Sequence, residues 1–245
     1  MSALVLAWQF LTIVPMPAAG APDARAFRWA PALFPVVGAM IGLAAAVVEL
    51  AARRFLPESV AVIGAIAAAL LVSGGLHLDG LADTCDGVFC LAPPERRLEI
   101  MRDSRIGSFG AAAIALDLLL RYALLMALPP TARTAGLIAA PAAGRWAVVA
   151  AMWGFPYARA AGTGRSFKEH LRWPALLLAT LSTIVIATVA APGTGHAALV
   201  AVLVGTIAAA LLMLRCLPGL TGDCYGALNE VGELVFLLVL SALWR

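Results

Sequence analysis

The sequence predicts an all-α fold, a polytopic transmembrane bundle of about six or seven helices with a short N-terminal interfacial or re-entrant helix. Three observations carry this. Of the 245 residues, 62% are hydrophobic and 13% charged, with a mean hydropathy of +0.95, against about 25% charged in soluble domains. Apolar stretches of about 20 residues, the length that crosses a hydrocarbon core of about 30 Å, recur along the chain. Little is left for a soluble domain, so residues 1–245 read as one integral-membrane domain whose polar chemistry sits in its loops.

Residues 3–14 (ALVLAWQFLTIV) are apolar but too short to cross, and an interfacial or re-entrant segment fits them better. They lack the basic n-region and clean cleavage site of a signal peptide. Spans are expected at about 31–52, 58–76, 107–128, 133–155, 173–191, 196–216 and 231–244, the last of them short. Placing the loop 77–106 in the cytoplasm puts Arg25, Arg28, Arg96, Arg97, Arg102, Arg105, Arg159, Arg165, Lys168, Arg172 and Arg215 inside. Arg53, Arg54, Arg133 and Arg245 are then outside. The same assignment collects the polar loops 77–106, 156–172 and 217–230 on one side.

A net charge of +3 with a single lysine, Lys168, gives no basic tract and excludes a nucleic-acid partner. Cys85, Cys90, Cys216 and Cys224 show neither zinc nor disulfide spacing and read as free thiols.

The strongest local signal is GGLHLDGLADTCDG (74–87), which sets Asp79, Asp83 and Asp86 at the mouth of a membrane helix. Offsets of four and seven residues bring all three to one helical face. Anions that close repel unless a cation lies among them. An all-oxygen set suits Mg²⁺, which usually works on phosphates shared with a substrate. The three are therefore candidate catalytic residues and metal ligands. His77, two residues before Asp79, points away from the acid face on a regular helix and is a candidate substrate contact or a satisfied polar residue.

In the same loop, Arg102, Asp103, Ser104 and Arg105 stand together before the next helix. Guanidinium groups grip phosphate in a fork, and Ser104 with Gly107 opens that helix with free N–H groups toward an anion. The plainer reading is a positive-inside cluster with a helix cap. Glu95, Arg96 and Glu99 read as a solvated face. The second loop offers Arg159 and Arg165 around Gly162 and Gly164, a pattern that allows close approach to a phosphate or nucleotide.

The third loop carries Asp223, Glu230 and Glu233 within about 80° of one another on a helix, a second acidic face. Glu233 enters an apolar helix, where an unpaired carboxylate is costly. These three read as substrate contacts, with Asp223 and Glu230 also as metal ligands, or else as partners of arginines. Asp117 and Arg121, four apart in mid-helix, neutralise each other and read as structural; Arg145 seeks a carboxylate or a substrate anion.

The runs GGLHLDGLADTCDGVF and RRLEIMRDSRIGSFG resemble the bacterial cobalamin synthase family, the adenosylcobinamide-GDP ribazoletransferases. FLTIVPMP, FPVVGAMIG, YARAAGTGRSF and TGDCYGALNEVGELVFLL extend the resemblance over most of the chain, in the family's order. Ala160 and Ala161 depart from it, standing where members often carry acidic residues. The resemblance implies a multipass enzyme of the bacterial inner membrane, with cytoplasmic active-site loops, in the last stage of vitamin B12 assembly. It implies attack by the 5′-hydroxyl of α-ribazole, or its 5′-phosphate, on the cobinamide-linked phosphate of adenosylcobinamide-GDP, releasing GMP with Mg²⁺ required. Asp83 or Asp86 is then the candidate general base, and Arg102, Arg105, Arg145 and Arg159 neutralise phosphate charge. The remaining partner expected is membrane lipid; homo-oligomerisation and association with other cobalamin-assembly enzymes stay open.

Clustered aspartates are also similar in chemistry to the CDP-alcohol phosphotransferases, whose longer Asp-Gly, Ala-Arg and paired-Asp pattern this chain lacks. An ion- or proton-coupled transporter is a third reading, but it calls for repeats and midplane charges that the sequence does not show apart from Asp117.

Overall fold

The structure is a computed structural model that describes residues 1–17 and 20–244; Arg245, counted in the charge reading, lies outside them. Eleven helices and no strand are found among the described residues. They are α1 (Ala3–Leu11), α2 (Ala24–Ala52), α3 (Glu58–Ser73), α4 (Leu76–Phe89), α5 (Pro94–Ile100), α6 (Ser108–Ala127), α7 (Pro130–Gly154), α8 (Thr163–His170), α9 (Trp173–Ala190), α10 (Gly195–Leu214) and α11 (Gly222–Leu243). Six of them, α2, α6, α7, α9, α10 and α11, are long and apolar enough to cross a membrane, and the bent pair α3–α4 makes up to seven.

Local chemistry sets the ends. Asp23 caps α2 by accepting from the Ala26 N–H at 2.7 Å, and Thr221 caps α11 by accepting from the Cys224 N–H at 3.2 Å. Proline at the first or second position opens α7 and α9, where its missing N–H costs nothing. Two left-handed glycines in succession, Gly74 (φ +63°) and Gly75 (φ +69°), end α3 and start α4 with a bend of 87°. α4 thus runs nearly perpendicular to α3.

Successive long helices alternate in direction, so the turns at 53–57, 128–129 and 191–194 share one end of the bundle. The opposite end gathers α1, α4, α5, α8 and all three polar segments. α7 is the central helix, buried along most of its length and packed on α2, α9 and α11. The outward faces of α6, α9 and α10 instead expose Leu119, Val189 and Val204, as a lipid-facing surface does.

α2 begins at Ala24 rather than about 31, and the boundary that changes most is that of the last helix. The last helix is not a short segment over 231–244 but the 22-residue α11, whose first turns are residues 222–230, read from sequence as loop. Of the polar residues that lowered its hydropathy, Asn229, Glu230 and Glu233 are buried against other helices rather than solvated. The four cysteines are free, as expected.

Candidate active site

A helix crossing and an extended segment build a cavity of about 210 Å³ at the polar end of the bundle. α4 lies on α11 where Gly80 and Gly226 allow the backbones to touch, which brings Asp79 to face Asp223. The third wall comes from the segment 155–162. There the Ala158 N–H donates to the Leu220 carbonyl and the Leu220 N–H to the Pro156 carbonyl, each at 2.8 Å. This short pairing holds Arg159 over Asp223, with Nη2 donating to the carboxylate at 2.7 Å. α8 closes the cavity, anchored by fully buried Phe167, whose ring packs on Phe10 of α1 and Phe34 of α2.

His77, Asp79, Arg159, Gly162 and Asp223 all line this cavity, so five of the residues singled out in sequence converge from three separate segments. Asp83 stands one helical turn beyond Asp79. Burial first, then the neighbouring Asp79 and Asp223 carboxylates, push its carboxyl up to about 7. Neither Asp79 nor Asp83 receives a hydrogen bond or ion pair among the described residues.

The other candidates sit elsewhere. Asp86 faces α6 and accepts from the Gly107 N–H at 2.8 Å and the Gly110 N–H at 2.9 Å. The free N–H groups at the start of α6 do meet an anion, and it is Asp86 rather than a substrate. Arg102, Asp103, Ser104 and Arg105 form an exposed segment outside the cavity. Arg105 grips the Asp103 carboxylate at 2.7 Å and holds its pKa at about 2. Arg96 and Glu99 are a solvated pair, as expected.

Of the two readings open for Glu230, Glu233 and Arg145, the structure shows carboxylate–arginine pairing. Arg121 of α6 pairs with both glutamates of α11, and Arg145 of α7 pairs with Glu233. Asn229 donates to Glu233 at 2.9 Å, while Asp117 keeps only a distant contact to Arg121 at 3.4 Å. This buried network lines a separate small cavity, so Glu230 does not join Asp79 and Asp83, and Arg145 is taken by a protein carboxylate. A lone intramembrane charge is costly, and pairing across three helices offsets that cost.

Among the described residues, no three Asp, Glu, His or Cys side chains are already gathered to hold a metal ion. The donor set nonetheless fits Mg²⁺, which binds through one or two carboxylates and completes its shell with water and substrate phosphate oxygens. Asp79 and Asp83 are two such carboxylates, free of other partners.

The sequence analysis does not single out Tyr157 and Tyr225, which stack at 5.8 Å beside the cavity, and counts Arg97 only as an inward charge, whereas it ties the end of α4 to α5 by donating to the Gly87 carbonyl at 3.0 Å. Their only sequence signal is position inside the quoted motifs.

The fold and cavity define a polytopic helical membrane protein with an acidic, arginine-bearing pocket at one end. The model of the cobalamin-5-phosphate synthase family matches residues 3–241. Adenosylcobinamide-GDP ribazoletransferase of Clostridium botulinum (strain Okra / Type B1) is 37% identical over 236 residues, 95% of this chain and 94% of the relative. The proteins of that name from Roseiflexus sp. (strain RS-1) and Herpetosiphon aurantiacus are 40% and 38% identical. They cover 96% and 98% of this chain, and 87% and 96% of the relatives. No solved structure matches the chain. The chain belongs to the cobalamin-5-phosphate synthase family.

Proposed function

We propose that this chain is an adenosylcobinamide-GDP ribazoletransferase, joining adenosylcobinamide-GDP to α-ribazole or its 5′-phosphate and releasing GMP. The observation that carries the reading is the cavity in which Asp79 and Arg159–Asp223 face each other, in a chain matched to that family over residues 3–241.

Asp79 and Asp83 are the residues that would hold Mg²⁺. The bound ion would supply charge neutralisation to the diphosphate. In the displacement the ribazole 5′-oxygen bonds to the cobinamide-linked phosphorus, the bond from that phosphorus to the bridging oxygen breaks, and the electron pair leaves with GMP. Of the two aspartates expected to take the hydroxyl proton, Asp86 is committed to α6, which leaves Asp83. Arg159 lines the cavity, its guanidinium held by Asp223, and there it orients a phosphate oxygen.

The arginine-rich end of the bundle supports a cytoplasmic face for this cavity in a bacterial inner membrane, with lipid covering the exposed apolar helices. The deciding experiment measures GMP release by the purified protein given both substrates, with Mg²⁺ or with EDTA. Release that needs ribazole and metal, and that Asp83→Asn abolishes in a folded protein, supports the assignment. Turnover by Asp83→Asn at the wild-type rate removes that carboxylate from the mechanism. Absence of release from the folded wild type refutes the transferase.

A further inference from the structure

Two adjoining hollows on the flank of the bundle lie outside the candidate active cavity. The first, of about 400 Å³, is an apolar groove between α7, α9 and α10, lined by Trp146, Ala150, Trp153, Leu176, Leu203 and Ile207. The Trp146 indole donates to the Thr180 hydroxyl at 3.0 Å, and the Thr180 and Thr206 hydroxyls donate to carbonyls of their own helices. The few polar groups of the groove are therefore already satisfied. From Trp153 to Trp146 it follows α7 for about 10 Å away from the polar end, at roughly 1.5 Å per residue.

The second hollow, of about 390 Å³, lies at the polar end against Trp153, Arg165, Lys168 and Glu169. Trp153 lines both hollows, and Met152 and Tyr157 stand between the second and the candidate active cavity. Arg165, marked in the sequence for a phosphate, belongs here rather than with Asp79. The charge of this hollow is unbalanced. Arg165 donates to the Glu169 carboxylate at 2.6 Å, but Lys168 and the neighbouring Arg172 meet only backbone carbonyls. Lys168 spends two of its three hydrogens on the Met152 and Phe155 carbonyls at the end of α7, which leaves one for a ligand. Trp153 and Trp173, 49% and 64% exposed, mark this end of α7 and α9 as the level of the lipid headgroups.

We propose that the two hollows together hold one anionic phospholipid, with an acyl chain in the groove between α7, α9 and α10 and its phosphate against Lys168 and Arg165. An apolar groove alone accepts any membrane hydrocarbon, whereas the excess of cations at its mouth selects a lipid of net negative charge over a zwitterionic one. A second copy of this chain is the poorer occupant. A two-fold contact through this face would bring the Arg165, Lys168 and Arg172 cations of two subunits together on the same side of the membrane. The site does not depend on which reaction the active cavity performs.

The test titrates the full-length protein in detergent with phosphatidylglycerol whose acyl chains carry bromine, a contact quencher of tryptophan fluorescence, and in parallel with brominated phosphatidylcholine. Phosphatidylglycerol should quench saturably, and phosphatidylcholine should need roughly fivefold more lipid or above. Ala150→Phe, which fills the groove, should abolish the saturable component. Lys168→Gln and Arg165→Gln should each weaken phosphatidylglycerol about fivefold and leave phosphatidylcholine unchanged. Because Lys168 also closes the end of α7, Arg165→Gln carries the comparison if Lys168→Gln does not fold. Ala39→Phe, in the apolar groove between α2 and α9 whose lining holds no cation, should alter neither lipid. Equal affinity of the wild type for the two lipids, a preference undiminished in the cation variants, or saturable quenching intact in Ala150→Phe overturns the proposal. A dimer that Ala150→Phe converts to monomer, without saturable quenching by either lipid, assigns the face to a second copy and overturns it as well.

Discussion

Gly80 of α4 and Gly226 of α11 meet with no side chain between them. A Cβ on Gly226 would lie 3.1 Å from the Gly80 Cα, and one on Gly80 would lie 2.8 Å from the Asp223 carbonyl oxygen. The distance between the two acidic helices, and so the separation of Asp79 from Asp223, is set by backbone contact. Gly80→Ala should cost about 1–3 kcal/mol through overpacking. Because it forces the acidic walls apart, turnover should fall further than stability does. Thermal unfolding in detergent, compared with initial rates well below the melting point, checks this; an alanine variant with full activity would show that the crossing does not set the site.

Asp86 is predicted to behave unlike the acids it neighbours in sequence. Its carboxylate accepts from Gly107 and Gly110 at the start of α6, so Asp86→Ala removes a helix cap and should cost about 0.5–2 kcal/mol. Asp79→Asn removes charge from the cavity and Asp83→Asn from the turn beside it, and both should leave stability near wild type. The Mg²⁺ dependence of the rate separates them. It should survive in Asp86→Ala, reduced in amplitude, and be lost or shifted to higher metal in the other two.

The spans were legible because apolar length is a local property: α2, α9 and α10 lie within a few residues of their expected ends or contain them. The start of α11 was not, since hydropathy scores Asp223, Glu230 and Glu233 as loop whether or not arginines from other helices neutralise them. The same gap explains why the partners of Glu230, Glu233 and Arg145 stay open in the sequence. Four-residue spacing correctly paired Asp117 with Arg121, but the pairs of Arg121 and Arg145 with α11 span 88 to 112 positions. Only packing joins them. Asp79, Arg159 and Asp223 were each marked by their type and motif, whereas the Gly80–Gly226 contact that brings two of them together has no one-dimensional signature.

That network yields a prediction about charge balance. Arg145→Met leaves the buried Glu233 with one arginine instead of two and should destabilise the bundle by about 3–5 kcal/mol. Adding Glu233→Gln removes the stranded charge, so the double variant should be more stable than the single one. A double-mutant cycle on unfolding in a fixed detergent measures the coupling. If Arg145 instead served the substrate, the single variant would keep its stability and lose only its affinity for adenosylcobinamide-GDP.

The far end of the bundle offers the converse case, a buried arginine with no path to the cavity. Arg133 of α7 is 1% exposed; it pairs with Glu49 of α2 at 3.2 Å and Glu58 of α3 at 2.6 Å, and donates to the Leu125 carbonyl at 2.8 Å. It thereby ties three helices together at the turns opposite the site. Arg133→Met strands Glu49, which is fully buried, and should cost about 3–5 kcal/mol. Nothing in the cavity depends on this contact, so the folded fraction should retain the wild-type KM for both substrates and the wild-type response to Mg²⁺. Rates normalised to folded protein, taken below the lowered melting point, make the comparison. A changed KM would mean that the two ends of the bundle are mechanically coupled through α7, which carries Arg133 at one end and lines the cavity with Val148 and Met152 at the other.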